Sequence, residues 1–268
     1  MAKETKVQWA KSSFNGWIGC TYHSSKDRSE ACRFCYANAW AKRTGRDFSV
    51  PKLTTTAYWK KPLKWNEEAG QTKEPWRVFA FSLGDVFDLA VDDAWREAFF
   101  NLVCKTPNLT WMVLTKQAEK MYIYYHEHFG GDHIQNNLWF GVTVENQEQA
   151  INRIPWLLKT PAYIHFISGE PLLEDINIMP YLPEENGYIE NPPHSDPIKC
   201  PVWWNGCLCS IDWVICGAET GAGARYMNPE WARSLRDQSQ AAEVPFFMKQ
   251  MSGKEPIPDD LMIREFPV

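Results

Sequence analysis

A chain of 268 residues, 44% apolar and 23% charged, is long enough to bury a core without disulfide staples and too apolar to be disordered throughout. It has no apolar run of the roughly 18 residues a spanning helix needs, and its polar opening carries no apolar export segment, so a cytoplasmic protein with no membrane partner is expected. A net charge of −5 argues against loose, charge-driven adhesion to nucleic acid and leaves local basic groups as candidates: Lys42, Arg43 and Arg46, or Lys60, Lys61 and Lys64. Fourteen Trp and 14% aromatic residues predict large packing anchors or a site that stacks flat rings.

The first segment with chemistry holds three of the eight cysteines. In a reducing compartment clustered cysteines point to metal sites rather than disulfides. Cys20, Cys32 and Cys35 have the spacing Cys-x11-Cys-x2-Cys. The close pair sets two thiolates on one metal, and the third arrives from upstream. Zinc suits this set with His23 as a fourth ligand, and so does a 4Fe–4S cluster, which with three thiolates keeps one iron open. The plainer alternative buries Cys20 as a small hydrophobe and leaves Cys32 and Cys35 as a redox pair.

From residue 77 onward one pattern repeats: an apolar β-rich run, a polar turn, a helical stretch. Strands are expected over 77–81, 110–114, 137–144, 163–167, 212–216 and 244–248, and helices over 92–105, 119–129, 147–158 and 229–242. Strands apolar on both faces suit a parallel sheet, and alternation with helices implies right-handed βαβ units. Six or seven such units predict an α/β fold: a partial β/α barrel made by residues 1–268 as one domain, with the Pro- and Cys-rich stretch 180–211 inserted in it. In that insertion Cys200, Cys207 and Cys209, with His194, are a candidate second metal site, either zinc or an auxiliary iron–sulfur cluster, or else incidental thiols. Cys216, inside an apolar strand, reads as packing. Polar residues follow the strands: Ser82 and Asp85, Thr115 and Lys116, Thr143 and Glu145, Ser168 and Glu170, then Glu219. β/α barrels carry their active sites at strand C-termini, although any one such residue is also an ordinary turn or cap residue.

Cys32-Arg33-Phe34-Cys35 resembles the end of the radical S-adenosylmethionine signature, Cys-x3-Cys-x-aromatic-Cys, with Phe34 at the aromatic position and a first gap of eleven residues in place of three. The resemblance implies a partial β/α barrel in which Cys20, Cys32 and Cys35 hold a 4Fe–4S cluster. It also implies S-adenosylmethionine bound to the open iron through its amino and carboxylate groups. An electron donor such as flavodoxin would then drive cleavage to methionine and a 5′-deoxyadenosyl radical. Phe34 and Tyr36 become cofactor-binding residues. Ser82 and Asp85 would meet the methionyl amino group, where this chain has Leu83-Gly84-Asp85 in place of the superfamily's Gly-Gly-Glu. Thr143, Glu145, Ser168 and Glu170 are the candidates for the ribose and carboxylate. Lys116 would pair with the cofactor carboxylate or a substrate phosphate, and Lys116, Glu170 and Glu219 are the candidate catalytic residues.

A closer resemblance covers most of the chain. Gly19-Cys20, Cys35-Tyr36-Ala37, Val113-Leu114-Thr115-Lys116, Phe140-Gly141-Val142-Thr143-Val144-Glu145, Ser168-Gly169-Glu170-Pro171, Cys216-Gly217-Ala218-Glu219-Thr220-Gly221 and Phe246-Phe247-Met248-Lys249-Gln250 are similar to a phage and prophage family. Some of its members are linked to thymidine hypermodification, where a radical enzyme rearranges α-glycinyl-thymidine in DNA. The implied activity is an isomerase or lyase acting on modified phage DNA, its base flipped out, or on the nucleotide. Two other classes compete: a zinc-binding nucleic-acid module without catalysis, and a barrel hydrolase using Glu170 and Glu219 as paired carboxylates.

Overall fold

The computed structural model describes residues 4–130, 135–183, 210–221 and 223–268. Ser12–Phe14 (β1) is followed by Trp17–Ile18 (β2), the cysteine loop, Tyr36–Arg43 (α1) and Lys52–Leu53 (β3). Thr56–Trp59 (α2) and Lys61–Thr72 (α3) lead to Trp76–Ala80 (β4), Asp93–Cys104 (α4), Leu109–Thr115 (β5), Ala118–Phe129 (α5) and Leu138–Thr143 (β6). Gln147–Lys159 (α6), Ile164–Gly169 (β7), Trp213–Gly217 (β8), Pro229–Ala241 (α7) and Phe246–Gln250 (β9) complete the described elements.

The chain is mixed α/β. A seven-stranded sheet has the order β1-β4-β5-β6-β7-β8-β9. The pairs β1–β4, β4–β5, β7–β8 and β8–β9 are parallel. Strand order that follows chain order, with α4, α5, α6 and α7 as crossovers, is the connectivity of a partial β/α barrel. β6, β7 and β8 are buried at every position, which is why their sequences run apolar without alternation. The helices start where polar caps allow: Asp92 accepts from the Ala94 amide at 2.8 Å, Asn146 from Gln149 at 2.9 Å and Asn228 from Glu230 at 3.1 Å. The strand expected over 77–81 is the second of the sheet, not the first. β1, with only Ser-Ser-Phe, precedes it and is too short to show a period.

The chain divides into two compact units, Met1–Thr115 with Gln135–Trp139, and Lys116–Ile134 with Phe140–Val268. The first unit has an aromatic core. Phe14 stacks on Tyr58 at 5.2 Å and meets Trp111 edge-on at 5.5 Å, while Trp17 lies 4.0 Å from Phe81. In the second unit Trp213 packs between Phe166 at 5.9 Å and Phe247 at 6.0 Å. These tryptophans are packing anchors. No helix among the described residues is long and apolar enough to cross a membrane. Of the insertion, residues 184–209 lie outside the described residues, and His194, Cys200, Cys207 and Cys209 lie there with them.

Candidate functional site

In the first unit the site is built around the loop that follows β2. Gly19 has φ +129°, and a Cβ there would lie 2.8 Å from the Pro51 backbone, so only glycine fits. Its amide donates to the Leu83 carbonyl at 2.9 Å, and the Cys20 amide donates to the Phe48 carbonyl at 2.7 Å. Thr21 is held harder. Its amide donates to Asp88 Oδ2 and its hydroxyl to Asp88 Oδ1, both at 2.5 Å. Asp88 is fully buried. Its backbone carbonyl accepts from Arg96 Nη2 at 2.5 Å, while Arg96 Nε donates to the Val86 carbonyl at 2.8 Å. The loop carrying Cys20 is thus clamped to the turn after β4.

Cys32 is buried, and its amide closes a turn on the Ser29 carbonyl at 2.9 Å. Cys35 caps α1 through its backbone, its carbonyl accepting from the Ala39 amide at 3.0 Å. Cys20 and Cys35 pack against one apolar cluster of Ala37, Ala41, Phe48 and Leu83. Burial pushes the Cys20 thiol far up, and the Asp85 and Asp88 carboxylates and the Cys32 thiol push it further. Cys32 lies near enough to Cys20 to raise its thiol, and Cys20 and Cys35 share one apolar cluster, yet among the described residues no three His, Cys, Asp or Glu groups stand at metal-ligand spacing. A buried thiol beside two carboxylates ionises only when a cation takes the place of its proton. A soft, three-sulfur donor set with that need fits an iron–sulfur cluster or zinc. His23 is close by, its ring edge-on to Phe48 at 5.7 Å. Burial, then the charges of Arg28 and Lys42, lower its pKa, and its Nδ1 is buried without a hydrogen-bond partner among the described residues.

Around this loop the expected cofactor residues fall as follows. Phe34 is 41% exposed with the Arg33 guanidinium 5.5 Å from its ring. Tyr36 is 62% exposed, but its hydroxyl is tied to the Ser82 carbonyl at 2.5 Å. Ser82 Oγ accepts from Asn15 Nδ2 at 3.2 Å, and Asn15 Oδ1 takes the Leu83 amide at 2.7 Å. Asp85 is buried, taking the Thr115 hydroxyl at 2.8 and 2.9 Å and the Phe87 amide at 2.9 Å. Asn15, Thr21 and Asp88 are the residues that sequence reasoning missed, while Thr115, expected among the polar strand ends, is the partner of Asp85. The signal in each case is a polar residue at the end of a strand or beside a cysteine.

In the second unit Lys116 Nζ donates to Thr143 Oγ1 at 3.3 Å, so these two meet. Glu145 is completely buried, and its Oε2 is bound by Arg153 Nη1 at 2.7 Å. The same nitrogen donates to the Thr143 carbonyl at 2.7 Å. Ser168 is also completely buried, and its hydroxyl has no partner among the described residues. Glu170 Oε2 accepts from Lys249 at 2.9 Å, and its Oε1 lies 3.0 Å from the point where a Cβ on Gly217 would stand. Glu219 is gripped by Arg225, Nη2 to Oε1 at 2.5 Å and Nε to Oε2 at 3.1 Å. Each of these carboxylates has its own ion-pair partner, Lys249 for Glu170 and Arg225 for Glu219. Cys216 is buried in β8, and burial followed by the Glu170 charge drives its thiol far up, as packing requires.

The family profile described as "Protein of unknown function (DUF5131)" matches residues 4–259. The chain belongs to that family. The matched span of this DUF5131 protein contains every candidate residue named above, from Cys20 to Lys249. No curated protein and no solved structure matches the chain.

Proposed function

We propose that this DUF5131 protein is a radical S-adenosylmethionine enzyme that rearranges a hypermodified thymidine, bearing an amino-acid substituent on its 5-methylene, in phage DNA or its nucleotide. The observation that supports it is the placing of Cys20 and Cys35 on one apolar cluster, with Cys32 close enough to Cys20 to raise its thiol. When bound, a 4Fe–4S cluster with S-adenosylmethionine on its open iron supplies one-electron cleavage of the cofactor. The chain's own residues hold and orient. Cys20, Cys32 and Cys35 are the thiols that would hold the cluster. Asp88 fixes the Cys20 backbone through Thr21. Asp85, positioned by Thr115 and Phe87, is the acceptor for an ammonium group, and the pinned Tyr36 ring and Phe34 are flat surfaces for a nucleobase. Flavodoxin or a similar protein is the assigned electron source.

The test is anaerobic reconstitution with iron and sulfide, addition of S-adenosylmethionine and dithionite, and mass spectrometry for 5′-deoxyadenosine. Formation of that product, abolished by Cys32→Ala, is expected. A protein with a full complement of iron that forms none would overturn the reading. A second reading, a zinc site of three thiolates and one imidazole shaping a nucleic-acid surface, is favoured by the orphaned Nδ1 of His23.

A further inference from the structure

We propose that the solvent face from Arg33 along α1 to Arg46 binds single-stranded nucleic acid, its phosphates held by Lys42, Arg43 and Arg46 beside the Trp40 ring. This deepens the function proposed above, on which it rests for the identity of the substrate. The surface itself is argued from charge and geometry. The chain is net −5, yet residues 33–46 hold four cations and no carboxylate. All four cations are exposed. Among the described residues none of the four is paired with an acid, whereas Arg96, Arg153, Arg225, Arg233 and Arg236 each sit on a carboxylate. Leaving four like charges together without partners is unfavourable for the isolated protein and favours a polyanion.

The aromatic component is equally specific. Trp40 packs against the cluster that carries Cys20 and Cys35, so its ring is anchored, and the Arg46 guanidinium lies 5.6 Å from that ring. An anchored ring beside a cation, on a segment rich in further cations, is the arrangement by which single-strand binders stack bases and track the backbone. Lys42 and Arg43 lie in the last turn of α1, where they also offset the helix dipole. That accounts for neither Arg46, beyond the cap at Thr44, nor Arg33, before the helix begins. The other basic group, Lys60, Lys61 and Lys64, is less suited. Glu67 and Glu68 follow Lys64 by three and four residues on α3, the spacing that neutralises charge along a helix. Position also favours α1. The helix begins directly after Cys35 and is about 12 Å long. Phosphates held at its far end therefore leave a neighbouring nucleotide within reach of the cysteine loop. Chemistry on a base needs that nucleotide unstacked, hence a single strand.

The experiment is fluorescence anisotropy of a labelled 12-nucleotide oligothymidylate with the full-length protein as purified, across a salt series. The test variant is Lys42→Glu/Arg43→Glu/Arg46→Glu, and the control, Lys60→Glu/Lys61→Glu/Lys64→Glu, makes the same charge change elsewhere. Circular dichroism melting verifies that both fold. Affinity should fall at least tenfold in the test variant and less than twofold in the control. The log–log salt slope should shrink by about two in the test variant. Equal losses in both variants, no loss in the test variant, or wild-type binding only to phosphatidylserine vesicles would overturn the proposal. The assay needs no cluster and no turnover, so a protein that binds the oligonucleotide but yields no 5′-deoxyadenosine refutes the proposed chemistry alone. One that cleaves the cofactor but ignores the oligonucleotide refutes this surface alone.

Discussion

Asp88 places Cys20 without touching a ligand itself, because both of its oxygens are taken by Thr21 and Oδ1 also accepts from the Ala90 amide at 3.0 Å. Asp88→Asn keeps the size but turns an amide NH2 toward a donor that needs an acceptor. A buried mismatch of this kind costs about 1–3 kcal/mol. The expected outcome is a lower iron-to-protein ratio after reconstitution and an altered electron paramagnetic resonance spectrum of the reduced cluster. Full loading with an unchanged spectrum would mean that Asp88 does not position Cys20. The thiols make a second prediction, for the metal-free protein. Cys20 and Cys216 are both raised from an ordinary value of 9.0, in each case chiefly by burial. Above pH 9 the unfolded thiol has lost its proton while the folded one keeps it. The folded state then binds more protons, and stability falls as pH rises. Thermal midpoints should therefore drop between pH 8 and 10, and Cys216→Ala should flatten part of that drop. Tyr58, pushed up to about 12 by burial, acts in the same direction but only above its ordinary value of 10.0. A midpoint constant over this range would contradict the buried neutral thiols.

At the scale of elements, Glu145 changes character between sequence and structure. A carboxylate just past a strand reads as a ligand contact, but here it joins the end of β6 to the inner face of α6 through Arg153, with both side chains at most 4% exposed. Removing the cation leaves a buried charge uncompensated, so Arg153→Met should lower stability by about 3–5 kcal/mol in urea unfolding. The double variant Arg153→Met/Glu145→Leu should recover most of that loss. A single variant within 1 kcal/mol of wild type would show the pair to be unimportant. The signal was present in the sequence. Ala150, Arg153, Ile154 and Leu157 recur at helical spacing, and an arginine on that stripe needs a buried acid. The strands from β4 onward were legible within a residue or two because burial on both faces leaves continuous apolar runs. β1 and α1 were not. The first has three residues, and the second buries only Ala37 and Ala41, too small to mark an apolar stripe. The clamps on the cysteine loop were hidden for a different reason. Asn15 and Asp88 act on residues 67 and 68 positions away, a pairing that only the fold brings about.

For the molecule as a whole the proposed function turns on whether the three thiols hold an iron–sulfur cluster or zinc. The sequence made the sulfur set legible but not its fourth partner, because iron left open for a cofactor and zinc closed by an imidazole use the same Cys-x11-Cys-x2-Cys spacing. The structure turns this into a question about His23, whose Nδ1 is buried without a hydrogen bond and whose lowered pKa keeps the ring neutral and able to ligate. If zinc is bound, His23 closes the site. His23→Ala should then lower zinc affinity by at least tenfold, and the wild-type protein should be colourless with one zinc per chain. If a cluster is bound, the open iron belongs to the cofactor and His23 lies outside the ligand set. Anaerobic protein should then be brown with about four irons per chain, the stoichiometry of a 4Fe–4S centre. His23→Ala should keep both the colour and the iron, while Cys20→Ala, Cys32→Ala and Cys35→Ala each lose them. The expected result is the second on the proposed function, because the buried Cys20 thiol suits either metal and it is the resemblance of Cys32-Arg33-Phe34-Cys35 to the radical S-adenosylmethionine signature that separates iron from zinc. Iron retained in full by Cys20→Ala would remove Cys20 from the ligand set, and zinc lost from His23→Ala would replace the radical reading with the structural one.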